Sequence, residues 1–157
     1  MKRRNSQRPS QDNRLSALAR TSFKRRRAAL SYYFNKVLAL SFDAAVAEVT
    51  QKLKDEGFGI ITEIDVTKTL KSKIGVEFRP YRILGACNPS LALEALKLED
   101  KVGTMLPCNV IVQELAPGKI EVAAIDPVAS MAAINNPPLL DKARIVRGKL
   151  EKVIQSL

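Results

Sequence analysis

From about residue 31 onward, apolar and polar positions alternate with two distinct periods. Runs with strand periodicity and branched or aromatic side chains predict five strands, over residues 32–40, 58–65, 78–87, 108–115 and 119–125. Apolar positions three or four residues apart predict helices over residues 42–53, 66–74, 89–97 and from 137 to the C-terminus, with a short helical turn over 128–133. The order β-α-β-α-β-α-β-β-α indicates an α+β fold, with one antiparallel-rich sheet of about five strands and helices packed on it.

Capping and turn residues agree with these element ends. Ser41 and Asp65 are good N-caps for the first two helices, and Asn88 is an N-cap followed by a proline in the first helical turn. Pro117 and Gly118 fit the centre of a type II turn, so the last two strands are expected to form a hairpin. No glycine-rich loop follows a predicted strand, which disfavours a nucleotide-binding Rossmann unit.

Positive charge is concentrated in an N-terminal extension, residues 1–30. This segment contains ten basic residues and one acidic residue, so it carries nine of the ten net positive charges, and residues 31–157 are nearly neutral. Three interpretations stay open: a disordered, solvated extension or a start site assigned too far upstream; a basic arm that contacts nucleic-acid phosphates or an anionic membrane surface; and an organelle transit segment. We therefore divide the chain into the basic extension 1–30, predicted to be disordered, and an α+β domain over 31–157.

Composition excludes several classes of function. Histidine is absent, so no mechanism can use a protein imidazole as a general base, a partner of a nucleophile or a metal ligand. No apolar run approaches the roughly 18 residues that a membrane-spanning helix needs. Because the chain has two cysteines and shows no secretory signal, we expect a cytoplasmic protein.

The candidate site is a set of thiol and polar residues at the predicted ends of strands. Cys87 ends the third strand and Cys108 begins the fourth, so an antiparallel pairing of these strands brings both thiols to one edge of the sheet. Asp126 follows the fifth strand and reaches the same edge if the fourth and fifth strands are neighbours. Since an asparagine follows each cysteine, the candidates are Cys87, Asn88, Cys108, Asn109 and Asp126.

Three interpretations of this set remain open. The simplest is that the thiols are packed in the core while Asn88 and Asp126 serve as a helix cap and a turn residue. The second is a ligand-binding or reactive-thiol site, and the third is a disulfide. One subunit has too few cysteines and no histidine for a structural zinc site, so no metal ligand is assigned, although a dimer could bring four thiolates to its axis.

Tyr81 is a further candidate, two residues after Arg79 on the third strand. Strand alternation places it on the same face as Ile83, Gly85 and Cys87. Its ring either lines a pocket there or packs in the core with its hydroxyl hydrogen-bonded.

Three stretches resemble a known family. They are ILGACNP at residues 83–89, LPCNV at 106–110 and AAIDPVASM at 123–131. With this spacing, the chain from about residue 33 to the C-terminus resembles the bacterial and archaeal family called domain of unknown function 302. The resemblance implies a small α+β domain similar in architecture to the TATA-binding-protein-like fold, commonly a homodimer, with signature positions at Cys87, Asn88, Cys108, Asn109, Asp126 and Pro127. It implies no settled activity and no cofactor, and a fold alone does not imply DNA binding.

The leading hypothesis is a small cytoplasmic homodimer that binds a small molecule or a metal in a cleft near Cys87, Cys108 and Asp126. One alternative is a thiol-based redox protein or enzyme, with Cys87 as the nucleophile and Cys108 as the resolving thiol. Another is binding of nucleic acid or an anionic surface through the basic extension 1–30. Whether the protein is an enzyme stays open, and no cofactor is named.

Overall fold

The computed structural model describes residues 31–157, which fold around one five-stranded sheet. The strands are β1 (Tyr33–Leu38), β2 (Gly59–Asp65), β3 (Tyr81–Cys87), β4 (Cys108–Ala116) and β5 (Lys119–Ile125). They lie in the spatial order β1-β5-β4-β3-β2, and every neighbouring pair is antiparallel. The α+β fold and the five-stranded antiparallel sheet predicted from the sequence are therefore confirmed.

Helices connect the strands and follow the last one. They are α1 (Phe42–Asp55), α2 (Val66–Ile74), α3 (Pro89–Leu98), α4 (Pro127–Ser130) and α5 (Pro137–Ser156), with a 3₁₀ helix at Asp100–Met105. Apart from the two short segments, α4 and the 3₁₀ helix, the order of elements is the predicted β-α-β-α-β-α-β-β-α.

Side-chain caps begin the helices at the predicted residues. The Ser41 hydroxyl accepts a hydrogen bond from the backbone N–H of Ala44 at 3.3 Å, and the Asp65 carboxylate accepts one from Lys68 at 2.8 Å. Helix α2 ends at Gly75, whose φ of 69° lies in the left-handed region that favours glycine. Local capping chemistry therefore sets the element ends that the sequence pattern predicts.

The main hydrophobic core fills the space between one face of the sheet and helices α1 and α5. Strands β4 and β5 contribute alternate residues to it, and the two helices contribute residues three or four positions apart. Its buried members are Ala45, Val49, Leu53, Phe58, Leu84, Ala86, Cys108, Val110, Val112, Ile120, Val122, Ala124, Leu150, Val153 and Ile154. The opposite face of the sheet stays largely accessible and forms the open hollow described below.

A second apolar cluster lies among α3, the 3₁₀ helix, α4 and α5. Its buried members are Ala95, Val102, Met131, Leu139 and Ala143. The side chain of Asn136 joins two of these helices, because its Nδ2 donates to the Leu98 carbonyl at 2.9 Å while its Oδ1 caps α5 at the Leu139 N–H at 3.2 Å. The start of α5 is thereby held against the end of α3.

Several element boundaries differ from the predictions. Strand β3 begins at Tyr81 rather than at residue 78, because Pro80 has no N–H to donate to a neighbouring strand. Strand β1 is shorter than residues 32–40, and the helical turn after β5 covers Pro127–Ser130 rather than 128–133. The 3₁₀ helix was not predicted, because its DKVGTM sequence carries no helical apolar periodicity.

The basic extension 1–30 lies outside the described residues. Its three interpretations, and the division of the chain near residue 31, therefore stay predictions. Among residues 31–157, no helix is both long and apolar enough to cross a membrane.

Candidate functional site

Both cysteines lie at the same end of the sheet. Cys87 is the last residue of β3 and Cys108 is the first residue of β4, and the antiparallel register pairs Cys108 with Ala86. Strand β5 ends beside the start of β4, so the next residue, Asp126, reaches this end as well. The strand register thus gathers the three positions at one end of the sheet.

A small apolar cavity lies at this end, between the sheet, α3 and α5, and we call it the cysteine-side cavity. Its volume is about 40 Å³, far below the roughly 300–1,000 Å³ of small-molecule sites. Cys87, Asn88 and Cys108 line it together with Phe58, Ala86, Leu91, Ala92, Ala95, Leu106, Pro107, Pro127, Met131, Leu139, Lys142, Ala143 and Val146. The ammonium of Lys142 lies 2.5 Å from the Glu94 carboxylate, so the charge at the rim is already paired.

The Asn88 side chain is engaged by the start of α3. Its Oδ1 accepts a hydrogen bond from the Leu91 N–H at 3.2 Å, which makes Asn88 the N-cap of that helix. Its Nδ2 would lie only 3.1 Å from a Cβ at Gly57, whose φ of 85° also favours glycine. Capping and close packing therefore account for the contacts of this side chain.

The Asp126 carboxylate is buried and bound within the fold. Its Oδ1 accepts hydrogen bonds from the N–H groups of Val128 and Ala129, at 2.9 and 3.4 Å, and so caps α4. Its Oδ2 lies 3.2 Å from Nε of Arg147 on α5, and that guanidinium lies over the Phe34 ring, 5.4 Å from its centroid. Asp126 therefore ties β5, α4 and α5 together, and it does not line the cysteine-side cavity.

Both thiols are free, and the Cys108 thiol is buried. Burial, with a smaller contribution from the nearby Cys87, raises the pKa of the Cys108 thiol to about 11. At neutral pH this thiol is protonated, whereas a nucleophilic or metal-bound cysteine is a thiolate. Among residues 31–157 there is no group of three or more His, Cys, Asp or Glu side chains that could hold a metal ion.

Asn109 and Tyr81 lie on the face of the sheet that is opposite the helices. Successive residues of a strand point to opposite faces, so Cys108 turns toward the helices and Asn109 turns away from them. Tyr81 is paired with Gln113, which is four residues from Asn109 along β4 and shares its face. The structure therefore separates Tyr81 and Asn109 from Cys87, Asn88 and Cys108, which line the cysteine-side cavity.

The exposed face of the sheet contains a concavity of about 360 Å³, which we call the open-face hollow. Its floor includes Ala123 of β5, which is paired with Asn35 of β1 on one side and Ile111 of β4 on the other. Because the Ala123 side chain is a single methyl group between longer neighbours, the middle of the face is left concave. The lining residues are Tyr32, Tyr33, Arg79, Tyr81, Asn109, Ile111, Gln113, Glu121, Ala123, Ala124 and Ile125.

A row of hydrogen-bonded polar side chains crosses this face of the sheet. Asn35 Nδ2 donates to Glu121 Oε1 and Gln113 Nε2 donates to Glu121 Oε2, each at 2.6 Å. Arg79 in turn donates from Nε and Nη2 to Gln113 Oε1, at 2.9 and 2.6 Å. Each member holds the next, so the guanidinium at the end of the row has a defined position.

Arg79 supplies the positive charge of the open-face hollow. Its guanidinium carbon lies 4.6 Å from the centroid of the Phe78 ring and 5.8 Å from that of Tyr81. Partial burial raises the pKa of Tyr81 above its ordinary value, although the charge of Arg79 acts in the opposite direction. The Tyr81 phenol is therefore protonated at neutral pH and can donate a hydrogen bond.

Two of the stretches that carry the family resemblance meet at Gly85. A Cβ at this residue would lie 2.6 Å from Cγ of Pro107 and would also collide with Oγ1 of Thr62. Such distances are too short for any side chain, so only glycine lets the Pro107 ring pack this closely on β3. The close contact between β3 and the Pro107 ring thus explains why the first stretch has a glycine at residue 85, opposite the proline of the second stretch.

Sequence patterns did not predict Asn35, Gln113 or Glu121 as site residues, and Arg79 was named only as a neighbour of Tyr81. The available signal was strand alternation, which puts Asn109, Ile111 and Gln113 on one face of β4 and Glu121, Ala123 and Ile125 on one face of β5. Alternation does not show which face the helices cover, because that depends on the register and packing of the whole sheet.

A protein-family model with the description "Domain of unknown function DUF302" matches residues 34–157. Among solved structures, the chain is similar to the crystal structure of an uncharacterised conserved DUF302 protein from Bacillus stearothermophilus, with 26% sequence identity and a TM-score of 0.73. This similarity covers 79% of the present chain and 96% of the other one. The comparison with curated proteins finds no match.

Proposed function

Because the chain belongs to the DUF302 family, whose description names no activity, we propose a function from the geometry of its sheet. We propose that the domain is a ligand-binding module, and that its binding surface is the open-face hollow rather than the cysteine-side cavity. This proposal keeps the small-molecule hypothesis drawn from the sequence but moves the site from Cys87, Cys108 and Asp126 to the surface that contains Tyr81 and Asn109.

The observation that carries this proposal is the difference in size and lining between the two sites. The volume of the open-face hollow, about 360 Å³, falls within the roughly 300–1,000 Å³ of small-molecule sites, whereas the cysteine-side cavity has about 40 Å³. The hollow also combines an apolar floor with a guanidinium, a carboxylate, two amides and three phenols, and such polar groups can orient a small ligand. In the cysteine-side cavity, the Asn88 side chain caps α3 and the Lys142 ammonium is paired with Glu94.

The chemistry of the described residues makes the metal and thiol alternatives less favourable. A metal bound by one subunit needs a cluster of donors, and the described residues contain no such group of three. A resolving thiol must ionise readily, whereas the pKa of Cys108 is raised to about 11. Binding through the basic extension 1–30 is independent of this surface, since it concerns residues outside the described part of the chain.

A neutral fluorescent probe tests the proposal without depending on charge. Prodan, a neutral naphthalene dye, should bind the full chain saturably and shift its emission to the blue. In the variant Ala123→Leu, a larger side chain fills the floor of the hollow, and the binding should be lost. The matched control Cys108→Ala alters the other cavity and should bind as the wild type does. Equal binding to all three proteins, or binding lost only in Cys108→Ala, would contradict the proposal.

We also propose, following the family resemblance, that the domain is a cytoplasmic homodimer with TATA-binding-protein-like architecture. Both cysteines are free, which is typical of a reducing compartment. On α3, the residues Leu93 and Leu96, which share one helix face, are 54% and 44% exposed, a feature typical of association surfaces.

Light scattering coupled to gel filtration tests the homodimer. We expect twice the chain mass of 17.3 kDa for the wild type and the monomer mass for Leu93→Glu. The control Ser72→Glu introduces the same charge at an exposed polar residue of α2 and should leave the dimer intact. A monomeric wild type would refute the homodimer.

A further inference from the structure

We infer that the ligand of the open-face hollow is a small organic anion, whose carboxylate or similar acidic group binds the guanidinium of Arg79. This inference rests on the proposed function and adds the chemical class of the ligand. The charge and hydrogen bonding of Arg79, the apolar floor and the position of Asn109 each support it.

The first support is that Arg79 is held in place without being neutralised. In the part of the chain that the structure describes, both hydrogen bonds of its side chain go to the neutral amide oxygen of Gln113, through Nε and Nη2. Its Nη1 group makes no hydrogen bond among these residues, so it can donate to an incoming acidic group. A guanidinium with fixed geometry matches the two oxygens of a carboxylate.

The second support is that the carboxylate in the same row is already hydrogen-bonded at both of its oxygens. Oε1 of Glu121 already accepts from Asn35 and Oε2 from Gln113, each at 2.6 Å. The two amide donors partly offset the negative charge of Glu121, and this residue is half-buried, whereas Arg79 is exposed and can meet an anion without rearrangement. The Arg79 end of the row therefore favours negative charge.

The third support is the apolar and aromatic character of the remaining surface. Beyond the polar row, the floor is formed by Ile111, Ala123 and Ile125, and the rings of Tyr32 and Tyr81 contribute to the walls. Asn109 also lines the hollow, four residues from Gln113 along the same strand, a separation of about 13 Å in an extended strand. An anion with an apolar, planar body can thus lie on the floor, and a polar group at its far end can reach the Asn109 amide.

A pair of probes that differ only in charge tests this inference. We would displace prodan from the full chain with 2-naphthoate and with 2-naphthamide, which have the same ring system. A charged hydrogen bond to Arg79 should make the naphthoate effective at a concentration about tenfold lower than the amide. The variant Arg79→Gln should abolish this preference, and the matched control Arg144→Gln, at an exposed arginine of α5, should retain it. The basic extension is identical in all three proteins, so it cannot produce the difference between them.

The outcomes separate the two proposals. If both probes displace prodan equally from the wild type, the anion inference is wrong and the ligand-binding hollow stands. If the preference for naphthoate persists in Arg79→Gln, the anion binds elsewhere and the inference is also overturned. If prodan does not bind, or binds less as the protein concentration rises because a second copy covers the face, both proposals fail.

Discussion

The packing of Pro107 on Gly85 leads to a sharp prediction for the variant Gly85→Ala. The new methyl group would lie 2.6 Å from Cγ of Pro107, and it would also collide with Oγ1 of Thr62. The Thr62 side chain can rotate away, but the proline ring is fixed to its backbone, so the strands must shift.

Overpacking of this kind costs about 1–3 kcal/mol, and the rigid ring places this site at the upper end. Replacing glycine also lowers the entropy of the unfolded chain, which returns about 0.5–1 kcal/mol. We therefore expect the free energy of unfolding to fall by about 2 kcal/mol, measured by urea denaturation followed by circular dichroism. This corresponds to a melting temperature lower by about 8 °C for a domain of this size.

Gly148 provides the matched control, because it is an exposed glycine in α5 with no atom within 4 Å of an added Cβ. The substitution Gly148→Ala should stabilise the protein by about 1 kcal/mol, since alanine is the better helix former. The two identical chemical changes should thus have opposite signs. A Gly85→Ala variant as stable as the wild type would refute the packing role assigned to Pro107.

Two other groups at the cysteine end of the sheet give stability predictions. Burial raises the pKa of Cys108 in the folded protein from about 9 to about 11. Below pH 9 the neutral thiol therefore makes its full contribution to the free energy of unfolding. That contribution, roughly 3 kcal/mol, should be lost as the pH rises from 9 to 11. The variant Cys108→Ala should lack this part of the alkaline slope in urea denaturation, and an unchanged slope would contradict the burial of the thiol. Asp126→Ala removes a helix cap and the partner of Arg147, and should lower the free energy of unfolding by about 1–3 kcal/mol. Asp126→Asn retains the capping oxygen and should lower it less, so equal losses would show that capping is not its role.

Much of the fold could be predicted from the sequence because local patterns carry it. Alternation in residues 119–125 and the turn at Pro117-Gly118 fix the hairpin, and caps such as Asp65 mark where helices begin. The predicted boundaries of strands were wrong at places where the local sequence pattern does not mark the end of the strand. Phe78 has a side chain typical of strands, yet it precedes Pro80 and lies outside β3.

The candidate site was harder to predict, because it depends on which face of each strand the helices cover. Cys108 and Asn109 are adjacent in sequence and look like parts of one cluster, but strand geometry places them on opposite faces. The Asp126 carboxylate could be located at the correct end of the sheet, whereas its pairing with Arg147 requires the packing of α5. The hydrogen bond between Gln113 and Glu121 likewise depends on the register of β4 against β5.

The most direct test of the central claim is to locate a bound probe by NMR. In spectra of uniformly ¹⁵N-labelled full chain titrated with 2-naphthoate, we expect saturable shifts of the amide signals of Asn109, Ile111 and Ala123, on the open face of the sheet. The signals of Leu91 and Ala143, beside the cysteine-side cavity, should stay in place. Saturable shifts confined to Leu91 and Ala143, or no saturable shift in residues 31–157, would contradict the assignment of the open-face hollow as the binding site.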